Sequence, residues 1–110
     1  MRIAVVGSRS IEKVDLEPYI SGKVELVSGG AVGVDACAAA YAEKNGLPLK
    51  VFLPQYRRYG RGAPIVRNKE IVEYADKVLV FWDGRSKGTQ SVIQYAHKIG
   101  KPCRVVLCES

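Results

Sequence analysis

Apolar and β-branched runs recur along the chain, and most are closed by glycine, proline or aspartate. Ile3-Ala4-Val5-Val6 runs into Gly7, and Val24-Glu25-Leu26-Val27 into Ser28-Gly29-Gly30. Leu49-Lys50-Val51-Phe52-Leu53 stops at Pro54, Val78-Leu79-Val80-Phe81-Trp82 stops at Asp83-Gly84, and Arg104-Val105-Val106-Leu107 lies near the end. Several are almost continuously apolar, the pattern of strands covered on both faces. Between them apolar residues fall three and four apart, the helical period. Residues 34–45 put Val34, Cys37, Ala38, Tyr41 and Ala42 on one stripe, with Asn45-Gly46 as a stop and Pro48 beyond it. Residues 64–75 carry Ile65, Ile71, Val72 and Ala75 on one face, with Pro64 suited to a first turn. Residues 86–99 carry Val92, Ile93, Ala96 and Ile99 and stop at Gly100-Lys101-Pro102. A short helix is expected over residues 14–20, limited by Pro18 unless that proline sits in its first turn. Residues 55–63 read as the longest loop.

Strands alternating with helices predict an α/β fold: a three-layer, Rossmann-like parallel sheet of about five strands with helices on both faces. The expected strand order is 3-2-1-4-5. Ligands in such sheets bind beyond the carboxyl ends of the strands, where the order reverses. The loops after the first, second and fourth strands all fall on that edge. With no repeat, low-complexity segment or linker, residues 1–110 are expected to form one domain.

A chain of this length buries roughly 65% of its unfolded surface, enough to fold without metal or disulfide. Seventeen Lys and Arg against eleven Asp and Glu give +6, which favours an anionic partner, a phosphorylated small molecule or a nucleic acid. No apolar run approaches the ~20 residues that span a bilayer, and Met1 leads directly into a strand-like segment rather than a signal peptide. Cys37, Cys103 and Cys108 have spacings poor for zinc and read as buried, reduced thiols of a cytoplasmic protein.

Chemistry concentrates in the loops. Ser28-Gly29-Gly30-Ala31-Val32-Gly33-Val34-Asp35 joins a strand to a helix, a common device for holding phosphate, and also a shape that glycines adopt for steric reasons alone. It has neither the GK[ST] ending of a P-loop nor an acid after the next strand, where Pro54-Gln55 stand, so a nicotinamide cofactor is disfavoured. Asp35 has two readings, a helix-dipole partner or an acceptor for a ribose hydroxyl or loop amide. Asp83-Gly84-Arg85-Ser86-Lys87-Gly88-Thr89 opens the last helix with amides, hydroxyls and an ammonium, either a phosphate cradle or an ordinary Ser cap. Arg9, in Gly7-Ser8-Arg9-Ser10, is a bidentate phosphate donor or a plain surface arginine. Asn68, beside Arg67, falls on an apolar stripe and needs a partner there, ligand or loop backbone. His97 reads as a surface residue and Trp82 as core or pocket wall.

Taken together, Gly7-Ser8-Arg9, Ser28-Gly29-Gly30-Ala31-x-Gly33-x-Asp35, Arg67-Asn68 and Trp82-Asp83-Gly84-x-Ser86-x-Gly88-Thr89 resemble the SLOG superfamily over nearly the whole chain and in order, most closely its small stand-alone bacterial and phage branch. The second-strand loop is similar to that of the DNA-processing DprA proteins, and Gly88-Thr89 to that of the Lonely Guy phosphoribohydrolases, also called lysine-decarboxylase-like proteins. The resemblance implies a Rossmann-like nucleotide-binding domain, often dimeric. Its ligand residues would be Gly7, Ser8, Arg9, Ser28, Gly29, Gly30, Gly33, Asp35, Arg67, Asn68, Asp83, Gly84, Ser86, Lys87, Gly88 and Thr89. The hydrolase branch carries PGGxGTxxE, whose glutamate is needed for N-glycosidic cleavage. Here Val92 stands at the acid's position, so the hydrolase activity does not carry over.

Three functions follow as expectations. One is binding of a nucleotide or nucleotide-derived phosphorylated ligand between the two Gly-rich loops, as in a sensor. The second is a phosphoribohydrolase-like enzyme acting on a nucleoside monophosphate with a non-standard acid, Asp35 or Asp83. The third is single-stranded nucleic-acid binding through Arg57, Arg58 and Arg61, interleaved with Tyr56 and Tyr59. The first fits the missing glutamate best.

Overall fold

The computed structural model describes residues 1–108. Strands β1 (Arg2–Gly7), β2 (Glu25–Ser28), β3 (Leu49–Val51), β4 (Lys77–Trp82) and β5 (Cys103–Leu107) form one all-parallel sheet in the order β3-β2-β1-β4-β5, as the sequence pattern predicts. Helices α1 (Val34–Asn45), α2 (Tyr56–Tyr59), α3 (Ala63–Tyr74) and α4 (Lys87–Lys98) lie in the connections.

The two-residue period of the strands divides the core into two halves. Ile3, Val5, Leu26, Leu79 and Phe81 face Val34, Ala38 and Ala42 of α1. Ala4, Val27, Val78 and Val80 point the other way, onto Ile71 and Val72 of α3 and Val92 and Ala96 of α4. The sheet is thus the middle of three layers. Its register runs from Ile3↔Lys77 to Gly7↔Phe81 between β1 and β4, which brings the ends of β1, β2 and β4 to one edge. Chain leaving β1 and chain leaving β4 return on opposite sides there, and the separation opens a crevice.

The expected helix over residues 14–20 does not form. The Leu16 carbonyl accepts from the N–H groups of Tyr19 (3.0 Å) and Ile20 (3.1 Å), giving a single turn. The Asp15 carboxylate takes the Glu17 N–H at 3.1 Å, a local bond that competes with helix. Ile11, Leu16 and Ile20 are nevertheless buried beside α1, so this irregular segment fills the layer in place of a helix.

The loop expected over residues 55–63 instead holds α2 and a 3₁₀ turn, Gly60–Gly62, that runs directly into α3. β3 ends before Phe52 and Leu53, because Pro54 has no N–H to extend the ladder, and Leu53 is left 64% exposed. Ile65, in the first turn of α3, is also exposed, although it lies two turns ahead of buried Val72 on the same face. Ile99 is exposed too, standing just past the last turn of α4. The cysteines are half-buried rather than buried. All three are free, and burial pushes the Cys103 thiol upward. His97 is exposed, as expected. Among the described residues no helix is long and apolar enough to cross a membrane.

Candidate functional site

A cleft of about 360 Å³ opens at the carboxyl edge of the sheet. One wall is the end of β1 with Gly7, Arg9 and Ser10. The second is Gly29, Ala31 and Asp35, after β2. The third is Pro64, Arg67, Asn68 and Ile71 of α3. The fourth is Asp83, Ser86, Gly88 and Thr89, at the start of α4. Loops far apart in sequence meet here because β1 lies between β2 and β4.

Of the residues nominated from sequence, Gly7, Arg9, Gly29, Asp35, Arg67, Asn68, Asp83, Ser86, Gly88 and Thr89 line this cleft. Ser8, Ser28, Gly30, Gly33, Gly84 and Lys87 do not. Ser8 and Ser28 are buried behind the wall. Gly33 is needed for the chain itself: it takes φ 76° at the cap of α1, and a Cβ there would lie 2.7 Å from the Ile11 carbonyl oxygen. Its place in the motif is explained by the turn. The walls also include Val6, Ser10, Ala31, Pro64 and Ile71, which the loop motifs did not nominate. Ser10 could have been found as the next hydroxyl after Gly7-Ser8-Arg9, whereas the apolar members depend on tertiary packing.

Buried Ser8 ties two of the walls together. Its Oγ accepts the Asp83 N–H at 3.2 Å and donates to Thr89 Oγ1 at 3.2 Å, while its own N–H donates to the Phe81 carbonyl at 3.0 Å. Asp83 caps its own loop. One carboxylate oxygen accepts the N–H groups of Arg85 and Ser86, each at 2.8 Å, and the other accepts the Ser10 hydroxyl at 2.6 Å. The Ser10 hydroxyl, then the two amides, hold this carboxyl down at about 2. Ser86 Oγ in turn accepts the Thr89 N–H at 3.3 Å, so the ordinary Ser cap, one of the two readings of this loop, is present. The Trp82 indole N–H donates to the Ser86 carbonyl at 3.1 Å, so Trp82 braces the loop from outside the cleft. Once these bonds are assigned, the N–H groups of Lys87 and Gly88 remain. They are the first two of α4 and have no acceptor within the helix.

The opposite end of the cleft is built around Arg67. Its Nη1 donates to the Gly29 carbonyl at 2.7 Å and its Nε to Asn68 Oδ1 at 2.9 Å. Gly29 is required by this approach, since a Cβ there would stand 2.5 Å from Arg67 Nη1. The half-buried Asn68 therefore finds its partner in Arg67, on an otherwise apolar stripe. The Asp35 carboxylate turns back on its own loop and accepts the Ala31 N–H at 3.0 Å. Burial pushes Asp35 above the ordinary 3.8, and the Ala31 amide, the Arg67 guanidinium and the Gly29 backbone only partly offset this. The glycine motif after β2 thus has Ala31 engaged by the chain's own acid, while the first turn of α4 keeps two amides unengaged, that of Gly88 at a residue lining the cleft.

Among the described residues no group of three or more His, Cys, Asp or Glu is placed to hold a metal ion. Comparison with protein-family models, with curated proteins and with solved structures finds no match.

Proposed function

We propose that the cleft binds a nucleotide or nucleotide-derived phosphorylated ligand, with its phosphate at the start of α4. The observation that carries this reading is the pair of unengaged amides, Lys87 and Gly88, at the positive end of a three-turn helix, whose Gly88 lines the cleft together with Arg9. The cleft volume falls in the range of small-molecule sites, roughly 300–1,000 Å³. Asp35, Arg67 and Asn68 supply acceptors and donors at the other end, a set suited to sugar hydroxyls or to the edge of a base. The resemblance of the same loops to the SLOG superfamily supports the reading independently of the geometry.

Isothermal titration against ADP-ribose, cyclic nucleotides and nucleoside monophosphates tests it. At least one ligand is expected to bind in the micromolar range, and Arg9→Gln is expected to weaken it about tenfold through loss of a charge-assisted bond. No binding by any of them would count against the proposal.

A second reading, cleavage of a phosphoribosyl ligand, is favoured by one feature: Asp35 is a cleft carboxyl raised by burial, as a proton donor requires. Asp83 does not suit that role, because at about 2 it is ionised throughout the neutral range. Chromatographic detection of base release decides between the two. Release abolished by Asp35→Asn supports an enzyme. No release, or release unchanged in both Asp35→Asn and Asp83→Asn, rules out this assignment.

A further inference from the structure

The positive charge of this protein is concentrated in one segment. Residues 44–69 contain Lys44, Lys50, Arg57, Arg58, Arg61, Arg67 and Lys69 and no Asp or Glu. The rest of the chain holds the other ten basic residues against all eleven acids, so the net +6 arises within this one stretch. At its centre α2 and the 3₁₀ turn carry Tyr56-Arg57-Arg58-Tyr59-Gly60-Arg61, and neither element buries a single residue. Tyr56 is 59% exposed and Tyr59 37%. The Arg58 guanidinium lies 5.2 Å from the centre of the Tyr59 ring. The one ion pair among the described residues joins Arg2 to Glu25, so no carboxylate neutralises Arg57, Arg58 or Arg61. None of these five side chains lines the cleft.

Apart from the stacking of Arg58 on Tyr59, folding gives no account of two tyrosines and three arginines at this place. Uncompensated guanidinium groups close together repel one another, and a polyanion relieves the repulsion. Exposed aromatic rings between cations match a strand that offers phosphates and flat bases in alternation. We infer that residues 56–61 form a binding face for single-stranded nucleic acid, with Arg57, Arg58 and Arg61 on phosphates and Tyr56 and Tyr59 stacked on bases. The face is separate from the cleft and does not depend on what the cleft binds. The competing occupant is an anionic membrane surface, since Leu53 and Ile65 are also exposed nearby in sequence. A helix of four residues is too short to offer the continuous apolar face that lies in a membrane interface.

Fluorescence anisotropy of labelled oligothymidylate and oligouridylate, titrated with the protein over a range of salt, tests the inference. Binding is expected to weaken with salt, and Arg57→Gln/Arg58→Gln/Arg61→Gln to reduce the slope of log K against log salt by about 2, at ~0.7 per phosphate contact. Tyr56→Ala/Tyr59→Ala is expected to weaken binding about tenfold or more with the slope unchanged. Both variants should melt like the unaltered protein, and should one fail to fold, the other still decides. Removing three exposed lysines elsewhere, Lys13→Gln/Lys23→Gln/Lys98→Gln, should leave the slope within about one unit of its original value. The inference is overturned if neither oligonucleotide binds, if duplex DNA binds as tightly, or if the arginine variant keeps the full slope. It is equally overturned if phosphatidylserine vesicles bind while the oligonucleotides do not.

Discussion

Ser8 has no exposed chemistry of its own, yet its hydroxyl joins the end of β1 to the loop that opens α4. Ser8→Ala leaves the Asp83 N–H and the Thr89 hydroxyl short of a partner in a buried place. The expected cost is about 1–3 kcal/mol in urea denaturation, with weaker ligand binding as the α4 loop loosens. Asp83 and Asp35 act on stability with opposite signs. Asp83 is lowered to about 2, so its contribution is present above 3.8 and is lost as pH falls through 3.8 towards about 2. Asp35 is raised, so its proton favours the fold below 3.8, and that contribution is lost as pH rises through its folded value. Denaturation of the two Asn variants from about pH 6 to about pH 2 is the check. Asp83→Asn should be destabilised at the upper end and flatter in acid, and Asp35→Asn more stable at the upper end than the unaltered protein.

The elements were unequally legible in the chain. The strands announce themselves because both faces of the sheet are covered, which makes each central strand an apolar run with a polar stop, and β1 and β4 fall where that pattern puts them. The segment between β1 and β2 misleads, since Leu16 and Ile20 have helical spacing but Asp15 and Pro18 hold the backbone to one turn. Tyr56 to Gly62 misleads in the other sense: it has no apolar stripe because it buries nothing, so periodicity has nothing to report. The irregular segment is still core. Leu16→Ala is expected to cost about 2–5 kcal/mol, whereas exposed Pro18→Ala should cost less than about 1 kcal/mol. On the cleft, the glycine loops were readable as loops, but which amides they leave open was not. That depends on Asp35 folding back onto Ala31 and Asp83 onto Arg85 and Ser86, bonds between neighbours that spacing alone does not reveal. Arg67 on α3 supplies a clean separation of fold from site. Gly29→Ala pushes a flexible guanidinium aside rather than the backbone, so it should cost only about 1–2 kcal/mol in stability while weakening binding, compared by melting and by titration.

The architecture as a whole explains why this cleft forms at the carboxyl edge of the sheet. β1 sits between β2 and β4, its neighbours' connections diverge to opposite faces, and the amino end of α4 is left pointing into the gap. The same arrangement separates the two proposed anion sites: one with Arg9 and the start of α4, and one on α2, which follows β3. Amide-resolved NMR of the protein titrated with the ligand found by calorimetry addresses the central claim most directly. Expected are saturable shifts centred on Lys87 and Gly88, extending to Gly7, Arg9 and Gly29, with α2 and residues 14–20 unmoved. Shifts centred on residues 56–61, with Lys87 and Gly88 unchanged at saturation, would contradict a phosphate at the start of α4.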